Sequence, residues 1–561
     1  MRWSTTSLIA AAAVWIAASP AALSPREGGS RVAGVVRDVR GPVPNALVRV
    51  QATQLHTRTD SDGRFRLDGL PPGRAVTLTA SALGYYNGGP VSARPGVTGV
   101  AIQLVRHVAE DNAGYEWVGA RRAGAKTNCE ECHSESDSAS SLLPFDEWAR
   151  DAHGTSAQNP RFLSMYNGTD LTGQHRSPVT RYSIHPDYGR APLPPNPDQP
   201  DYGPGYMLDA PGNAGNCAAC HAPAAAIAAP YSTDPNFVSG VGREGVTCDL
   251  CHKLWAVRLD STTRVPPVNM PGVLSMGFRR PPAGHQLFIG PFDDAVGENT
   301  YSPLQNKSEF CAPCHFGQFW GVSVYNSFGE WQRSSYNDPV NGRTCQDCHM
   351  PRRGATRIAR ADKKGLQRAP GTIFSHLMPG AADVELLRRT VRLEVTAQRR
   401  QDRVEVEVRV TNENAGHHVP TDHPARNMLL LVDASDSGRQ PLESVGTQVL
   451  PEWAGVGSAA DDYAGRPGKA YAKVLEERWT GISPSAAYWR PTVVREDTRL
   501  PAKATDVTRY EFIAPASGED VTITATVVFR RAFKSLAVRK GWQTADIKMA
   551  TSSVVVRQAP R

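Results

Sequence analysis

The motif Cys-x-x-Cys-His occurs five times between Cys129 and His349, and the five copies use all ten cysteines of this 561-residue chain. Two thiols three positions apart can each form a thioether to one porphyrin, and the imidazole of the next residue then lies under the iron. The spacing therefore predicts five covalently attached c-type haems. The predicted cofactor-binding cysteines are Cys129, Cys132, Cys217, Cys220, Cys248, Cys251, Cys311, Cys314, Cys345 and Cys348, and the predicted proximal iron ligands are His133, His221, His252, His315 and His349.

Zinc sites, redox dithiols and disulfides are the alternative uses of such cysteines. A zinc site takes Cys-x-x-Cys pairs two at a time, and five pairs leave one unmatched. None of these alternatives requires a histidine after every second cysteine. Because histidine makes up only 15 of the 561 residues, its presence in all five copies favours haem.

Residues 1–24 have the pattern of a secretory signal peptide. Arg2 supplies an early positive charge, residues 8–18 are apolar, and small residues follow up to Ser24. The apolar run is too short to span a bilayer, and we find no later candidate for a transmembrane segment. We therefore expect export to the periplasm or the cell exterior, which suits haem attachment of this type.

Short strand-like runs, broken by turn residues, fill residues 31–105 and predict an N-terminal β-sandwich. The segment contains Val-x-Gly-x-Val-x-Asp at 32–38, Thr-Asp-x-Asp-Gly at 59–63 and Gly-Leu-Pro-Pro-Gly at 69–73. On these motifs it resembles the carboxypeptidase regulatory-like (transthyretin-like) module. The resemblance implies a structural or adhesive accessory domain without peptidase activity.

The middle region, residues 110–380, is rich in proline, glycine and asparagine and has little sustained periodicity. About 44 residues per haem, from 221 motif-spanning residues and five haems, cannot build a core unless the porphyrins form it. We therefore predict a coil-rich, partly α-helical multihaem cytochrome c domain.

From residue 383 to 557, apolar and polar residues alternate in several segments, notably 391–395, 404–410 and 521–529. This alternation predicts a C-terminal β-sandwich, with a less regular excursion at 451–501. The loop at 416–423 contains three histidines, which is unusual for a sandwich loop. The predicted fold class is thus multidomain, with a β-sandwich on either side of the haem domain.

An internal repeat lies within the haem region. Residues 145–153 align with residues 328–336, and each copy begins 12 or 13 residues after a motif histidine. The apolar spacing predicts a helix in each copy. The first copy ends at His153, whereas the second has Tyr336 at the same place.

Haems that transfer electrons in the low-spin state need a second strong axial ligand. We expect His153 at the end of its helix, His376 just after the haem region, and one histidine of the 416–423 loop to serve. The candidates in that loop are His417 and then His418, and His285 is a weaker candidate elsewhere. Tyr336 either packs near an iron ligated from elsewhere or is a catalytic candidate, donating a proton to a ligand on an open haem.

Three further motifs, Gly-Val-Thr-Cys-Asp at 245–249, Cys-His-Met-Pro at 348–351 and Gly-His-x-Val-Pro-Thr at 416–421, extend the pattern. With the five haem motifs, they make residues 115–430 similar to secreted multihaem cytochromes related to the cytochrome c554 group. That resemblance implies closely packed haem pairs that pass electrons, in which one haem can lack a distal ligand. The Cys-x-x-Cys-Lys motif of pentahaem nitrite reductases is absent from the sequence.

Three functions are compatible with the sequence. The leading one is an exported pentahaem cytochrome that transfers electrons along a row of haems. The alternatives are a redox enzyme acting on a small nitrogen or sulfur species at an open haem, and a surface or filament cytochrome. Whether the protein is an enzyme stays open, although electron transfer is favoured over catalysis.

The expected partners are redox proteins, either other cytochromes or quinol-linked reductases. The formal net charge is +7, which on its own would suggest acidic partners. Because five haems add about −10 through their propionates, we do not expect nucleic acid to bind. Association into an oligomer or filament stays open.

Overall fold

The N-terminal strands form two four-stranded sheets. In one sheet the order is β2-β1-β5, with β8 added parallel to β1, and in the other it is β4-β3-β6-β7. Val36, Val48, Leu78 and Ile102 are fully buried, because alternate residues of the strands face inward. The strands are β1 (Val32–Asp38), β2 (Gly41–Pro42), β3 (Leu47–Val50), β4 (His56–Arg58), β5 (Arg64–Leu67), β6 (Val76–Ser81), β7 (Gly88–Ala93) and β8 (Val100–Gln103).

Steric crowding in this sheet explains why the Val-x-Gly-x-Val motif has glycine at its third position. A Cβ atom on Gly34 would lie 2.0 Å from the carbonyl oxygen of Val100. Gly34 is paired with Val100 in the parallel ladder between β1 and β8. Only glycine lets the two strands approach this closely.

The computed structural model describes residues 31–121, 128–135, 142–352 and 354–558. The predicted signal peptide, residues 1–24, lies outside them. The described residues divide into two compact units: one holds those up to Ala80 together with Gly88–Leu104, and the other holds Ser81–Asn87 and those from Val105 onward. Within the described ranges, no helix is long and apolar enough to cross a membrane.

The haem-motif region of the second unit consists of short helices, two-stranded ladders and coil. Its helices are α1 (Cys129–His133), α2 (Pro144–Trp148), α3 (Pro160–Asn167), α4 (Tyr206–Asp209), α5 (Ala218–His221), α6 (Pro223–Ala226), α7 (Cys248–Cys251), α8 (Ser327–Gln332) and α9 (Cys345–His349). Its paired strands are β9 (Tyr182–His185) with β10 (Gly189–Pro192), β11 (Leu254–Val257) with β12 (Met276–Phe278), β13 (Phe288–Gly290) with β14 (Asn299–Tyr301), and β15 (Gly317–Phe319) with β16 (Val322–Tyr325).

Two sheets build the C-terminal part of the second unit, in the orders β17-β18-β22 and β21-β20-β19-β23-β24. Val404 and Val408 on one sheet and Leu430 and Ile523 on the other belong to one buried core. The elements are α10 (Val384–Arg388), β17 (Val391–Arg400), β18 (Arg403–Asn412), β19 (Asn427–Ser435), β20 (Gly468–Glu477), β21 (Thr492–Asp497), β22 (Thr505–Ile513), β23 (Val521–Arg530), α11 (Lys534–Arg539) and β24 (Ile547–Val556).

The segment 451–501, expected to be less regular than the rest of the C-terminal part, contains two strands, β20 and β21. Strand β20 is the second strand of the larger sheet, between β19 and β21, and most of its residues are buried on both faces. A strand covered on both sides loses the polar-apolar alternation by which sequence analysis recognises it.

Candidate functional site

Four of the five Cys-x-x-Cys-His motifs form one-turn helices, and the fourth is a turn closed by the His315 N–H on the Cys311 carbonyl at 3.1 Å. Three motif helices begin at a side-chain cap one residue before the first cysteine: Asn128, Thr247 and Thr344 each accept a backbone N–H from the following turn. The cap fixes where the turn starts. Both cysteines and the histidine are thereby brought onto one helical turn.

The motifs lie against one another through their cysteines. The side chains of Cys129 and Cys248, of Cys311 and Cys345, and of Cys314 and Cys220 lie close enough to interact electrostatically. The thiol of Cys251 is close enough to Cys314 to raise its own pKa further, beyond the larger effect of desolvation. The first motif therefore adjoins the third, and the fourth adjoins the second, third and fifth.

The Nδ1 atom of every proximal histidine faces a hydrogen-bond acceptor. Four acceptors are backbone carbonyls: Ile358 for His133 (2.5 Å), Ser156 for His221 (3.4 Å), Ile289 for His252 (2.8 Å) and Pro379 for His349 (2.7 Å). The fifth acceptor is a carboxylate, Asp422 Oδ2, 3.3 Å from His315 Nδ1. Because metal-bound histidines donate their second N–H to such acceptors, Nε2 is left free for an iron in all five.

Two predicted distal histidines lie opposite a proximal histidine. The ring centres of His153 and His315 are 6.3 Å apart, and those of His349 and His417 are 6.2 Å apart. Two imidazoles on one metal, each with a metal–nitrogen distance of about 2.0 Å and about 1.2 Å from nitrogen to ring centre, would have centres about 6.4 Å apart. The residues present therefore fit a six-coordinate haem iron between each pair.

The distal histidines of these pairs are also oriented through Nδ1. His153 Nδ1 is 2.6 Å from Asp151 Oδ1, and His417 Nδ1 is 2.8 Å from the His418 carbonyl oxygen. Nε2 is again the nitrogen left for the metal. His418 itself contacts Glu330, with 3.9 Å between His418 Nδ1 and Glu330 Oε1, so the structure favours His417 over His418 as the ligand.

Burial keeps several of these imidazoles neutral, which iron ligation requires. Desolvation lowers the pKa values of His221, His349 and His376 to about 4. For His315, desolvation alone would lower the pKa, but the hydrogen bond and charge of Asp422 outweigh it and raise the pKa to about 9.

His376 and His423 lie close to other proximal histidines. The charges of His252 and His133 contribute to the lowered pKa of His376 after desolvation, with His252 the larger. Desolvation and then Arg426 lower the pKa of His423 to about 3, and His221 is among the other groups that act on it. His423 Nδ1, however, accepts the Ala425 N–H at 3.2 Å, which leaves the proton of a neutral ring on Nε2.

Of the two remaining candidates, His285 lies on an exposed turn and Tyr336 lies in the apolar cluster that contains Ala312 of the fourth motif. His285 is 63% exposed on a turn, where its Nδ1 is 3.3 Å from Glu298 Oε1. Tyr336 is buried against Phe328 and Trp331, and its hydroxyl donates to the Glu413 carbonyl at 3.1 Å. Because the phenol is engaged in this contact, the geometry favours packing over proton donation, and the role of Tyr336 stays a prediction.

The two copies of the internal repeat make equivalent hydrogen bonds through their tryptophan and glutamate side chains. The indole N–H of Trp148 donates to the Val246 carbonyl and that of Trp331 to the Arg343 carbonyl, both at 2.8 Å, and each carbonyl lies two residues before the first cysteine of a motif. Each copy also buries a glutamate that accepts a backbone N–H from a histidine: Glu147 from His376 at 2.7 Å, and Glu330 from His418 at 3.2 Å.

Sequence reasoning missed the carboxylates at the fourth motif and the two buried glutamates. The repeat carried a usable signal for the glutamates, since Phe-x-Glu-Trp occurs in both copies at 145–148 and 328–331. No local signal marks Asp422, which reaches His315 from 107 residues away in the chain. Among the described residues, no three His, Cys, Asp or Glu side chains converge to hold a bare metal ion.

Comparisons with known proteins bear on both units. A carboxypeptidase regulatory-like domain model matches residues 31–105. The structure of a penta-heme cytochrome c552 from Thermochromatium tepidum aligns with a TM-score of 0.50 and 19% identity, covering 76% of this chain and 97% of that one.

A second structure, a type II Cohesin-X-Dockerin complex from Acetivibrio cellulolyticus, aligns with 17% identity and a TM-score of 0.13 over 14% of this chain and 59% of that one. No curated protein matches the chain. The chain therefore carries a carboxypeptidase regulatory-like domain at its N-terminus, and over 76% of its length it is similar in fold to a penta-heme cytochrome.

Proposed function

We propose that this protein is an exported pentahaem c-type cytochrome that transfers electrons between covalently bound haems. The observation that carries the proposal is the hydrogen bonding of all five proximal histidines through Nδ1, with a second histidine 6.2 to 6.3 Å from two of them. The fold similarity to a penta-heme cytochrome supports it. We also propose the relation to the cytochrome c554 group, a haem domain at 110–380 and a C-terminal β-sandwich at 383–557.

In this proposal each motif holds one haem through its two cysteines and its histidine. His153 and His417 complete the fourth and fifth sites, opposite His315 and His349. The repeat supports His376 as the partner of His252, because Glu147 holds the His376 segment as Glu330 holds the His417 loop. A haem iron supplies one-electron chemistry, and this chain supplies its ligands, their orientation and burial.

Mass spectrometry of the secreted protein tests the proposal directly. We expect the mature mass to include five haems, and a variant with Cys345→Ala and Cys348→Ala to include four. The matched control is Ser327→Ala, in the same region but outside every motif. A mature mass without haem, or zinc in place of haem, would contradict the proposal.

A second function, ligand chemistry at an open haem, is favoured by the surroundings of His221. His423 lies close to His221, but its Nδ1 accepts a hydrogen bond, so its Nε2–H suits donation to a bound ligand better than iron ligation. Arg161 and Arg426 act electrostatically on His423 and would attract a small oxidised nitrogen or sulfur anion.

Exposure to cyanide or nitric oxide separates the two functions. If the haem of the second motif is open, it would bind either ligand rapidly, and His423→Ala would change the rate of ligand binding. Tyr336→Phe is the control, because the Tyr336 hydroxyl is engaged by Glu413. Five haems inert to both ligands would leave electron transfer alone.

The proposed setting is the periplasm or the cell exterior, with redox proteins as partners. The haems themselves define the partner class, because one-electron carriers exchange electrons with other one-electron carriers.

A further inference from the structure

The fourth haem site differs from the fifth in what its two histidines contact. His315 Nδ1 faces the Asp422 carboxylate at 3.3 Å, and His153 Nδ1 faces the Asp151 carboxylate at 2.6 Å. At the fifth site both Nδ1 atoms face backbone carbonyls, 2.7 Å from His349 and 2.8 Å from His417. The fifth site is thus an internal reference with the same ligand type and neutral acceptors.

Both carboxylates are held in place by other contacts. Asp422 Oδ1 accepts the Ser327 N–H at 3.1 Å, which leaves Oδ2 for His315. Asp151 Oδ1 also accepts the His153 N–H at 2.9 Å, and its side chain is only 5% exposed. These contacts fix the carboxylates toward the imidazoles.

A carboxylate acceptor makes an axial imidazole a stronger electron donor than a carbonyl acceptor does. The more electron-rich ligand stabilises ferric over ferrous iron, and the negative charges of buried Asp151 and half-buried Asp422 act in the same direction. We propose that Asp151 and Asp422 are positioning residues that give the fourth haem the lowest reduction potential of the five. This inference rests on the proposed haem binding.

The experiment is a spectroelectrochemical titration of the holoprotein and of the variants Asp151→Asn, Asp422→Asn and their combination. Asparagine keeps the size of the side chain and removes its charge. We expect the lowest midpoint potential to rise in each single variant and further in the double variant. A tenfold change in the ferric to ferrous equilibrium of that haem corresponds to about 59 mV.

Asp347→Asn is the matched control. Asp347 is an exposed carboxylate in the capping box of the fifth motif, and its hydrogen bonds go to Thr344. Its removal takes one negative charge from a motif without touching an axial imidazole. We expect a smaller change than at Asp151 or Asp422.

Electron paramagnetic resonance identifies the haem that responds, because ferric g values depend on the angle between the axial imidazole planes. That angle is 57° for His153 and His315 and 14° for His349 and His417. If Asp422→Asn lowers haem content, Asp151→Asn tests the same haem from the other side.

An unchanged lowest midpoint in protein with five haems, or a shift confined to another haem, would overturn the inference and leave the proposed function intact. A wild-type mass without haems would instead remove the proposed function itself.

Discussion

At the scale of single residues, His417 and His418 are neighbours with different contacts. The ring of His417 is 6.2 Å from that of His349, whereas His418 lies beside Glu330. We therefore predict that His417→Ala turns one haem high-spin and that His418→Ala leaves the spin state of every haem unchanged. Absorption and paramagnetic resonance spectra of the oxidised variants measure this, and equal spectra for the two would contradict it.

The hydroxyl of Tyr336 makes one hydrogen bond, to Glu413, inside an apolar cluster. Replacement by phenylalanine removes that bond and preserves the packing. We predict a loss of about 1 kcal/mol in the free energy of unfolding, with unchanged haem spectra. Chemical denaturation provides the stability, and a haem that changes its spin state in this variant would argue against a packing role.

Sequence alone nominated the motif cysteines and histidines as well as His153 and His417, because a motif, a helix end or an unusual loop marks them. It ranked His285 lower but kept it as a candidate, since exposure depends on the folded chain, in which the His285 side chain is 63% exposed. The role of Asp422 could not be predicted either, because it depends on a contact between residues far apart in the chain. Asp422 lies 107 residues after His315 in the sequence, and only folding brings its loop against the His315 imidazole.

At the scale of elements, helices α2 and α8 each bury a glutamate beneath a histidine-bearing segment. Glu330 accepts hydrogen bonds from Thr421 Oγ1 at 2.6 Å and from Arg499 at 2.7 Å, whereas Glu147 accepts from Ser375 at 2.9 Å. We predict that Glu330→Gln lowers the free energy of unfolding by about 3 kcal/mol, because Arg499 loses one of its two carboxylate partners in the interior.

Glu147→Gln is the matched variant for that prediction. Its described partners are a hydroxyl and a backbone N–H, so no buried cation is uncovered and we expect about 1 to 2 kcal/mol. Chemical denaturation of both variants gives the comparison. Equal losses would mean that the Arg499 ion pair contributes little.

Elements with one buried face were predictable, and elements buried on both faces were not. Strands β17, β18 and β23 alternate as the sequence indicated, because one side of each meets the core. Strand β20 lacks that alternation. The partners of the two repeat glutamates could not be predicted from the sequence. Only the fold shows that a segment distant in the chain packs beneath each helix.

At the scale of the whole molecule, residues 81–87 lie within the span matched by the regulatory-like domain and yet belong to the second unit. Asn87 Nδ2 donates to the carbonyls of Phe292 and Ala295, at 3.0 and 2.8 Å. The same segment of the second unit contains Ile289, whose carbonyl accepts from His252.

We predict that Asn87→Ala lowers the free energy of unfolding of the second unit by about 2 kcal/mol, because two half-buried carbonyls lose their donor. The spectrum of the third haem should also change, since the segment around Ile289 orients His252. Leu83→Ala is the control from the same stretch, because Leu83 is 62% exposed. Equal effects of the two substitutions would show that Asn87 has no special role.

The contacts among the cysteines determine which haems would be neighbours and therefore which routes electrons could take. Among the described residues, the cysteines of the fourth motif adjoin the second, third and fifth motifs, and Cys129 of the first motif adjoins Cys248 of the third. Haems attached there would form a branched circuit with three terminals, at the first, second and fifth motifs, instead of the single row expected from the sequence. A single row of haems joins one electron donor to one acceptor. This branched layout lets a single donor supply two acceptors, and the haem attached to the fourth motif, where the branches meet, determines how the electrons are divided between them.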